Sequence, residues 1–90
     1  MEIKNSIKNN SYAIYGLGLS GKSALNFLRK KKVKKIYTWD DKTKLRSKKK
    51  ISSFKKALNK VDYILISPGI NIKKTKFKSI LYKNKKKNYY

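Results

Sequence analysis

The glycine-rich segment over residues 16–21 constrains the fold more than any other feature of this sequence. It has the pattern G-x-G-x-x-G and follows an apolar run over residues 11–15 that is rich in strand-forming side chains. After it, apolar residues recur at helical spacing: Ala24, Leu25, Phe27 and Leu28. A strand, a tight glycine turn and a helix in this order are typical of a βα unit that binds phosphate groups.

The rest of the chain repeats this alternation of strand and helix. Residues 35–39 and 61–66 have the composition of strands, and the second of these runs is nearly continuous in apolar residues, as in a buried parallel strand. Helical stripes are formed by Ile51, Phe54, Ala57 and Leu58, with Ser47 as a candidate cap, and by Phe77, Ile80 and Leu81. The order predicts an α/β fold with an incomplete Rossmann-like parallel sheet of about three strands, in the order 2-1-3, and helices on both faces.

These elements divide the chain into three parts. We expect residues 1–10 to be a loose lead, residues 11–82 to be a partial Rossmann-like domain, and residues 83–90 to be a disordered tail of Lys, Asn and Tyr. A three-stranded parallel sheet has open edges, so the sequence resembles the first part of a larger domain.

Charge is the most unusual compositional feature. The chain has 26 basic and 4 acidic residues, for a formal charge of +22, and of the basic residues only Arg29 and Arg46 are arginines. Lysine runs favour non-specific nucleic-acid binding through phosphates, whereas A/T-rich codon usage would give the same composition without selection for charge.

The residue types that are missing exclude several classes of protein. The absence of cysteine and histidine excludes disulfides and His-dependent triads, and it argues against a zinc site. No apolar run is long enough to span a membrane, and the N-terminus has no signal-peptide core. We therefore expect a cytoplasmic monomer that does not bind membranes.

The glycine segment itself supports two interpretations. In a dinucleotide-type loop, Gly16 permits the turn, Gly18 lets a phosphate approach, Gly21 packs the helix on the strand, and Asp40 bonds a ribose. The same residues also match the phosphate loop G-x-x-x-x-G-K-S, in which Lys22 and Ser23 would contact phosphates and Mg²⁺. A glycine turn used only for packing is the third alternative. In all three, Ser20 is the predicted cap of the following helix.

A second segment favours one family. Residues 15–24, Tyr-Gly-Leu-Gly-Leu-Ser-Gly-Lys-Ser-Ala, and residues 66–70, Ile-Ser-Pro-Gly-Ile, together resemble the first domain of the Mur ligases, most closely those that add D-glutamate to UDP-N-acetylmuramoyl-L-alanine. That domain has the same strand, glycine loop, helix, Asp-ended strand and S-P-G turn in the same order. The resemblance covers about residues 11–82.

The resemblance implies a site for the UDP part of that substrate. Leu19 and Ser20 match loop positions near the uridine and the diphosphate, Asp40 matches the acid at the uracil end, and Gly69 matches a pocket glycine. Asp41 and Lys42 stand where close relatives often have a hydroxyl residue and arginine. The expected set of UDP-substrate-binding residues is Gly16, Gly18, Leu19, Ser20, Gly21, Asp40, Asp41, Lys42 and Gly69.

The resemblance also implies what these 90 residues do not supply. The family activates a carboxylate with ATP and Mg²⁺ at a G-T-N-G-K-[ST] loop in a later domain, and that motif does not occur here. We therefore expect no catalytic residues, no metal site, no cofactor of this chain's own and no turnover by the chain alone. A fragment or a truncated product of a peptidoglycan-precursor ligase is the expectation. The alternatives are a small nucleotide-binding module and a basic nucleic-acid-binding protein.

Overall fold

Alternating strands and helices make up most of the described chain. The computed structural model describes residues 7–42 and 51–89, so the candidate cap Ser47 lies outside the described residues. The strands are β1 (Ser11–Tyr15), β2 (Lys35–Trp39), β3 (Tyr63–Ile66) and β4 (Asn88–Tyr89). The helices are α1 (Leu19–Lys30), α2 (Ile51–Lys60) and α3 (Lys78–Lys83), with short 3₁₀ helices at Ile7–Asn9 and Lys85–Lys87.

The strands form one parallel sheet in the order β2-β1-β3-β4. Tyr15, the last residue of β1, is in register with Trp39 on one side and with Ile66 on the other. The predicted order 2-1-3 is therefore confirmed, and the turns after β1, β2 and β3 meet at one edge of the sheet.

The fourth strand lies in the segment that we expected to be disordered. Residues 85–87 form a 3₁₀ helix and residues 88–89 pair with β3. Lys87 donates from Nζ to the carbonyl of Asn59, 2.9 Å away, and Asn88 donates from Nδ2 to the carbonyl of Leu81, 3.0 Å away. The described sheet thus has four strands where about three were predicted.

Helices cover both faces of the sheet, as predicted. Ala13 and Tyr15 of β1 point into a core formed with α2 and α3, whereas Tyr12 and Ile14 point into a core formed with α1. The alternation follows from the two-residue period of a strand, and both sets are buried because β1 is central.

Helix α1 begins one residue before the predicted cap. Its first residue is Leu19, and Gly18 occupies the cap position, which leaves the helix without a side-chain cap. The prediction that Ser20 caps this helix was wrong, because the helix begins at Leu19 and Ser20 is already inside its first turn. No helix in residues 7–42 and 51–89 has the length and apolar character needed to cross a bilayer.

Candidate functional site

The first and third glycines of the loop fix its path. Gly16 has φ 103°, in the left-handed region that favours glycine, and a Cβ there would lie 2.6 Å from Cβ of Ser67. A Cβ on Gly21 would lie 1.7 Å from the carbonyl oxygen of Gly16. No other residue fits at Gly21 unless α1 moves away from β1, so this glycine sets how closely the helix approaches the strand.

Gly18, the middle glycine of the loop, is different because neither its backbone conformation nor a steric contact with a described residue requires glycine there. A Cβ on Gly18 would have no heavy atom within 4 Å, and its φ of −74° suits any residue. Gly18 is exposed at the start of α1, where the first intrahelical bond runs from Lys22 N–H to the Gly18 carbonyl at 2.9 Å. The amides of residues 19–21 precede that bond, so they have no acceptor within the helix.

Asp40 joins the glycine loop to the turn after β2. One carboxylate oxygen accepts from Leu17 N–H at 2.6 Å, and the other accepts from Lys42 N–H at 2.8 Å. Only 8% of Asp40 is exposed. Charge-assisted bonds of this kind are stronger than neutral ones, so Asp40 holds the two turns in a fixed relation.

Asp41 is exposed, but buried aromatic donors orient its carboxylate. Tyr15 donates from its hydroxyl to Oδ2 at 2.8 Å, and Trp39 donates from Nε1 to Oδ1 at 3.2 Å. The Tyr15 oxygen also bonds the hydroxyl of Thr75, which itself accepts from Phe77 N–H at 3.2 Å. The pKa of Tyr15 is raised to about 12, with burial as the largest cause; the Thr75 bond lowers it, and the Asp41 carboxylate contributes to the rise.

A cavity of about 280 Å³ opens among these groups. Several predicted site residues line it: Gly16, Gly18, Asp40, Asp41 and Lys42. Its other lining residues are Tyr15, Ser67 and Ile70. The structure therefore brings the glycine loop and the turn after β2 to one concave surface, as the sheet order predicts.

A second cavity of about 280 Å³ adjoins the first at Ser67 and extends under the start of α1. Ser20 and Gly21 line it together with Pro68 and apolar residues of β1 and β3. Leu19, 88% exposed, stands beside the loop and lines neither cavity. The predicted residues that line a cavity are thus divided between two adjoining cavities.

The turn after β3 contributes through residues other than the predicted glycine. Ser67 N–H donates to the carbonyl of Tyr15 at 3.0 Å, and Ile70 N–H donates to the carbonyl of Ser67 at 3.1 Å. These bonds hold the turn after β3 beside Gly16. Gly69 is exposed at the tip of the turn, where a Cβ would have no heavy atom within 4 Å, and it lines neither cavity.

The geometry gives little support to the phosphate-loop alternative. Lys22 and Ser23 are exposed in the first turn of α1 and line neither cavity. In that alternative, Asp40 would share Mg²⁺ with Ser23, yet both of its carboxylate oxygens already accept backbone N–H groups. Residues 7–42 and 51–89 contain no group of three or more potential metal-ligating side chains.

Three residues that line the first cavity were not in the predicted set: Tyr15, Ser67 and Ile70. Tyr15 and Ser67 could have been found from position, because each stands at or just after the carboxyl end of a strand adjoining the loop. Ile70 and the contact from Thr75 depend on the path of residues 67–77, which has no periodicity to predict it.

Comparison with known proteins identifies the family of this domain. A comparison with curated proteins gave no significant match, and neither did a comparison with solved structures. The family model for the N-terminal domain of MurD-like Mur ligases matches residues 10–86, which is most of the chain and includes the glycine loop, the Asp40 turn and the Ser67 turn. The chain therefore belongs to the family of MurD-like Mur ligase N-terminal domains.

Proposed function

We propose that this domain binds the UDP end of UDP-N-acetylmuramoyl-L-alanine, the substrate to which a D-glutamate-adding Mur ligase joins D-glutamate. The observation that carries the proposal is the meeting of three strand ends, after β1, β2 and β3, around adjoining cavities in a domain of this family. Ligands of open parallel sheets bind at this edge, where the strand order reverses.

The diphosphate is assigned to the start of α1. The amides of residues 19–21 have no acceptor within the helix, and the positive end of the helix dipole lies there. The open space at Gly18 allows a phosphate to approach the backbone more closely than any side chain would permit. Lys22 and Lys42 add positive charge on either side of the loop.

The uracil end is assigned to the cavity beside Asp41 and Lys42. The Asp41 carboxylate is held by Tyr15 and Trp39, so it can accept from an N–H group of a base without first being ordered. Lys42 supplies a donor to a base carbonyl. Asp40 stabilises the turns around this cavity by accepting hydrogen bonds from the Leu17 and Lys42 amides.

This assignment gives the domain a binding role within a larger reaction. The family's amide bond forms after ATP activates a carboxylate, and the chemistry of that step belongs to the ATP-binding loop of the full-length ligases. The residues around both cavities bind and orient the nucleotide, and none is assigned to catalysis. ATP and Mg²⁺ are accordingly not expected to bind this domain.

The test is a titration of ¹⁵N-labelled protein with UDP-N-acetylmuramoyl-L-alanine, followed by amide chemical shifts. We expect shifts at residues 16–21, 40–42 and 67–70, and a loss of affinity of at least about tenfold in Gly18→Val, since the added side chain occupies the phosphate approach. Asn26→Val, at an exposed position of the same helix, is the matched control.

Three results would contradict the proposal. Unchanged affinity in Gly18→Val would remove the loop from the site. Tighter binding of NAD than of UDP compounds would favour a dinucleotide module. Binding of ATP with Mg²⁺ that disappears in Lys22→Ala would favour the phosphate-loop alternative instead.

A further inference from the structure

Among residues 7–42 and 51–89, basic residues are concentrated at one end of the sheet. In a parallel α/β fold, every helix ends near the amino ends of the strands, opposite the glycine loop. Basic residues crowd this end: Lys8, Arg29, Lys30, Lys31, Lys32, Lys34, Lys35, Lys60, Lys83, Lys85, Lys86 and Lys87. We call this set the amino-end basic surface.

Two contacts place the last of these lysines on the same surface as the others. Lys87 donates from Nζ to the carbonyl of Asn59, and Asn84 donates from Nδ2 to Oδ1 of Asn59 at 3.1 Å. Residues 84–87 therefore lie beside the end of α2, next to Lys60. These contacts join the basic residues after α3 to those at the end of α2. Lys60 Nζ also lies over the ring of Tyr37 in β2, two residues after Lys35, which brings the basic residues between α1 and β2 to the same surface.

Little acidic charge opposes this surface. Among residues 7–42 and 51–89, Asp62 is the one carboxylate at the amino ends of the strands. Its Oδ2 accepts from the N–H of Ser11 at 2.8 Å and from the hydroxyl at 3.1 Å. Asp40 and Asp41 are at the opposite end, inside the candidate site, where they offset part of the positive charge.

Aromatic rings accompany the cations. Lys31 Nζ lies 5.6 Å from the ring centre of Phe27, which is 50% exposed, and Lys60 Nζ lies 5.0 Å from the ring centre of Tyr37. Tyr37 is partly buried against the core, whereas Phe27 is accessible, and a cation beside an accessible ring is suited to nucleic acid, whose phosphates and bases can be contacted together. Membrane insertion is favoured by several strongly exposed apolar side chains, but Leu19, the most exposed of those described, is at the opposite end, and Phe27 and Tyr82 are only about half exposed.

We propose that the amino-end basic surface is a second binding site, which holds nucleic acid through its phosphate backbone without reading sequence. Lysines provide nearly all of the charge, and a lysine contacts phosphate as a point charge, whereas base recognition favours the fork of arginine. The surface lies opposite the candidate nucleotide cavities, so both sites can be occupied together.

The experiment uses the whole chain and a fluorescein-labelled single-stranded RNA of about 20 nucleotides, with binding followed by fluorescence polarisation. The test variant carries Lys30→Gln, Lys34→Gln and Lys35→Gln. The matched control carries Lys73→Gln, Lys74→Gln and Lys76→Gln, three exposed lysines that follow β3 at the other end. Both variants lose the same charge, and thermal melts check that both remain folded, because Lys30 also lies at a helix C-terminus.

We expect the test variant to bind at least about tenfold more weakly at low salt, while the control changes less than about threefold. The slope of log affinity against log salt should fall by about 2 in the test variant, since each phosphate contact on a single strand contributes about 0.7. Gly18→Val should leave RNA affinity unchanged, which separates this proposal from the one for the nucleotide site.

Equal losses in the two triple variants would overturn the proposal, because binding would then follow net charge rather than a surface. Loss of RNA binding in Gly18→Val would overturn it as well, since the RNA would then occupy the candidate nucleotide cavities. A third contrary result is binding to phosphatidylserine vesicles that depends on Lys30, Lys34 and Lys35 while RNA binding does not.

Discussion

The two faces of the sheet are built in different ways. On the face covered by α2 and α3, four rings interlock: five pairs among Tyr15, Trp39, Phe54 and Phe77 have ring centres 5.1–6.2 Å apart. On the other face, α1 packs mainly aliphatic side chains against the sheet and leaves a cavity of about 200 Å³ beside Leu28 and Phe27. The first face is closely packed, whereas the second depends on one helix.

This difference assigns separate tasks to the two faces. The aromatic face orients Asp41, because the Tyr15 hydroxyl and the Trp39 N–H extend from the ring cluster to that carboxylate. The α1 face positions the backbone amides of the glycine loop through the contact of Gly21 with Gly16. The candidate site lies where the two faces meet, so each face should be testable by its own substitutions.

The largest expected effect is on the α1 face. Gly21→Ala places a Cβ 1.7 Å from the carbonyl oxygen of Gly16, so α1 must shift or the domain fails to fold. We expect loss of cooperative urea unfolding, measured by far-UV circular dichroism. Ser23→Ala, exposed in the same helix, is the control and should unfold like the parent chain. A cooperative transition in Gly21→Ala at the parent midpoint would show that α1 does not depend on this close contact.

The next prediction compares one core side chain from each face of the sheet. Phe77 is 0% exposed and contacts three other rings, so Phe77→Ala should cost about 4 kcal/mol of unfolding free energy. Leu28 borders an existing cavity, so Leu28→Ala should cost about 2 kcal/mol, because fewer contacts are lost. Urea midpoints measure both. Equal losses of unfolding free energy would mean that the two faces of the sheet are equally well packed.

The fold could be predicted because the sequence patterns of the individual elements agreed with the expected order of strands in the sheet. The glycine loop and the apolar runs predicted β1, α1, β2 and β3, and the order 2-1-3 followed from the expectation that Gly16, Asp40 and Gly69 converge. The order is confirmed, although Gly69 itself lines neither cavity. β4 was not predictable, since two residues in a Lys- and Asn-rich tail have no periodicity. It is held by contacts such as Asn88 to Leu81 that only the folded chain creates.

The candidate site was predictable in position but not in detail. Asp40 could be placed at the end of β2, yet its bonds to the Leu17 and Lys42 amides depend on the exact path of two turns. The bond between Tyr15 and Thr75 joins residues 60 positions apart in sequence. Spacing predicts which residues meet at one edge of a sheet, whereas side-chain partners across that edge depend on packing.

A smaller effect distinguishes the two buried tyrosines of β1. Tyr15→Phe removes the donor to Asp41 on the aromatic face, whereas Tyr12→Phe removes a 2.9 Å bond to the carbonyl of Ile7 on the α1 face. We expect each to cost about 1 kcal/mol of stability. Only Tyr15→Phe should also weaken binding of the UDP substrate, because Asp41 loses one of its two orienting donors. Calorimetric titration of both variants checks this, and equal affinities would remove Asp41 from the uracil site.

The smallest expected effect is the dependence of stability on pH in the alkaline range. Because the pKa of Tyr15 is raised from 10.0 to about 12, the folded chain favours the neutral phenol, and the unfolded chain ionises first. The stabilisation from Tyr15 is complete below pH 10 and is lost as the pH rises towards about 12. The many lysines titrate in the same range, so the informative quantity is the difference between the parent chain and Tyr15→Phe. That difference in unfolding free energy should shrink from about pH 9 to about pH 12, in the range where Tyr15 titrates. A constant difference would show that the Tyr15 phenol ionises as readily in the folded chain as in the unfolded chain. Water would then reach the Tyr15 hydroxyl more freely than the packing of the aromatic rings indicates.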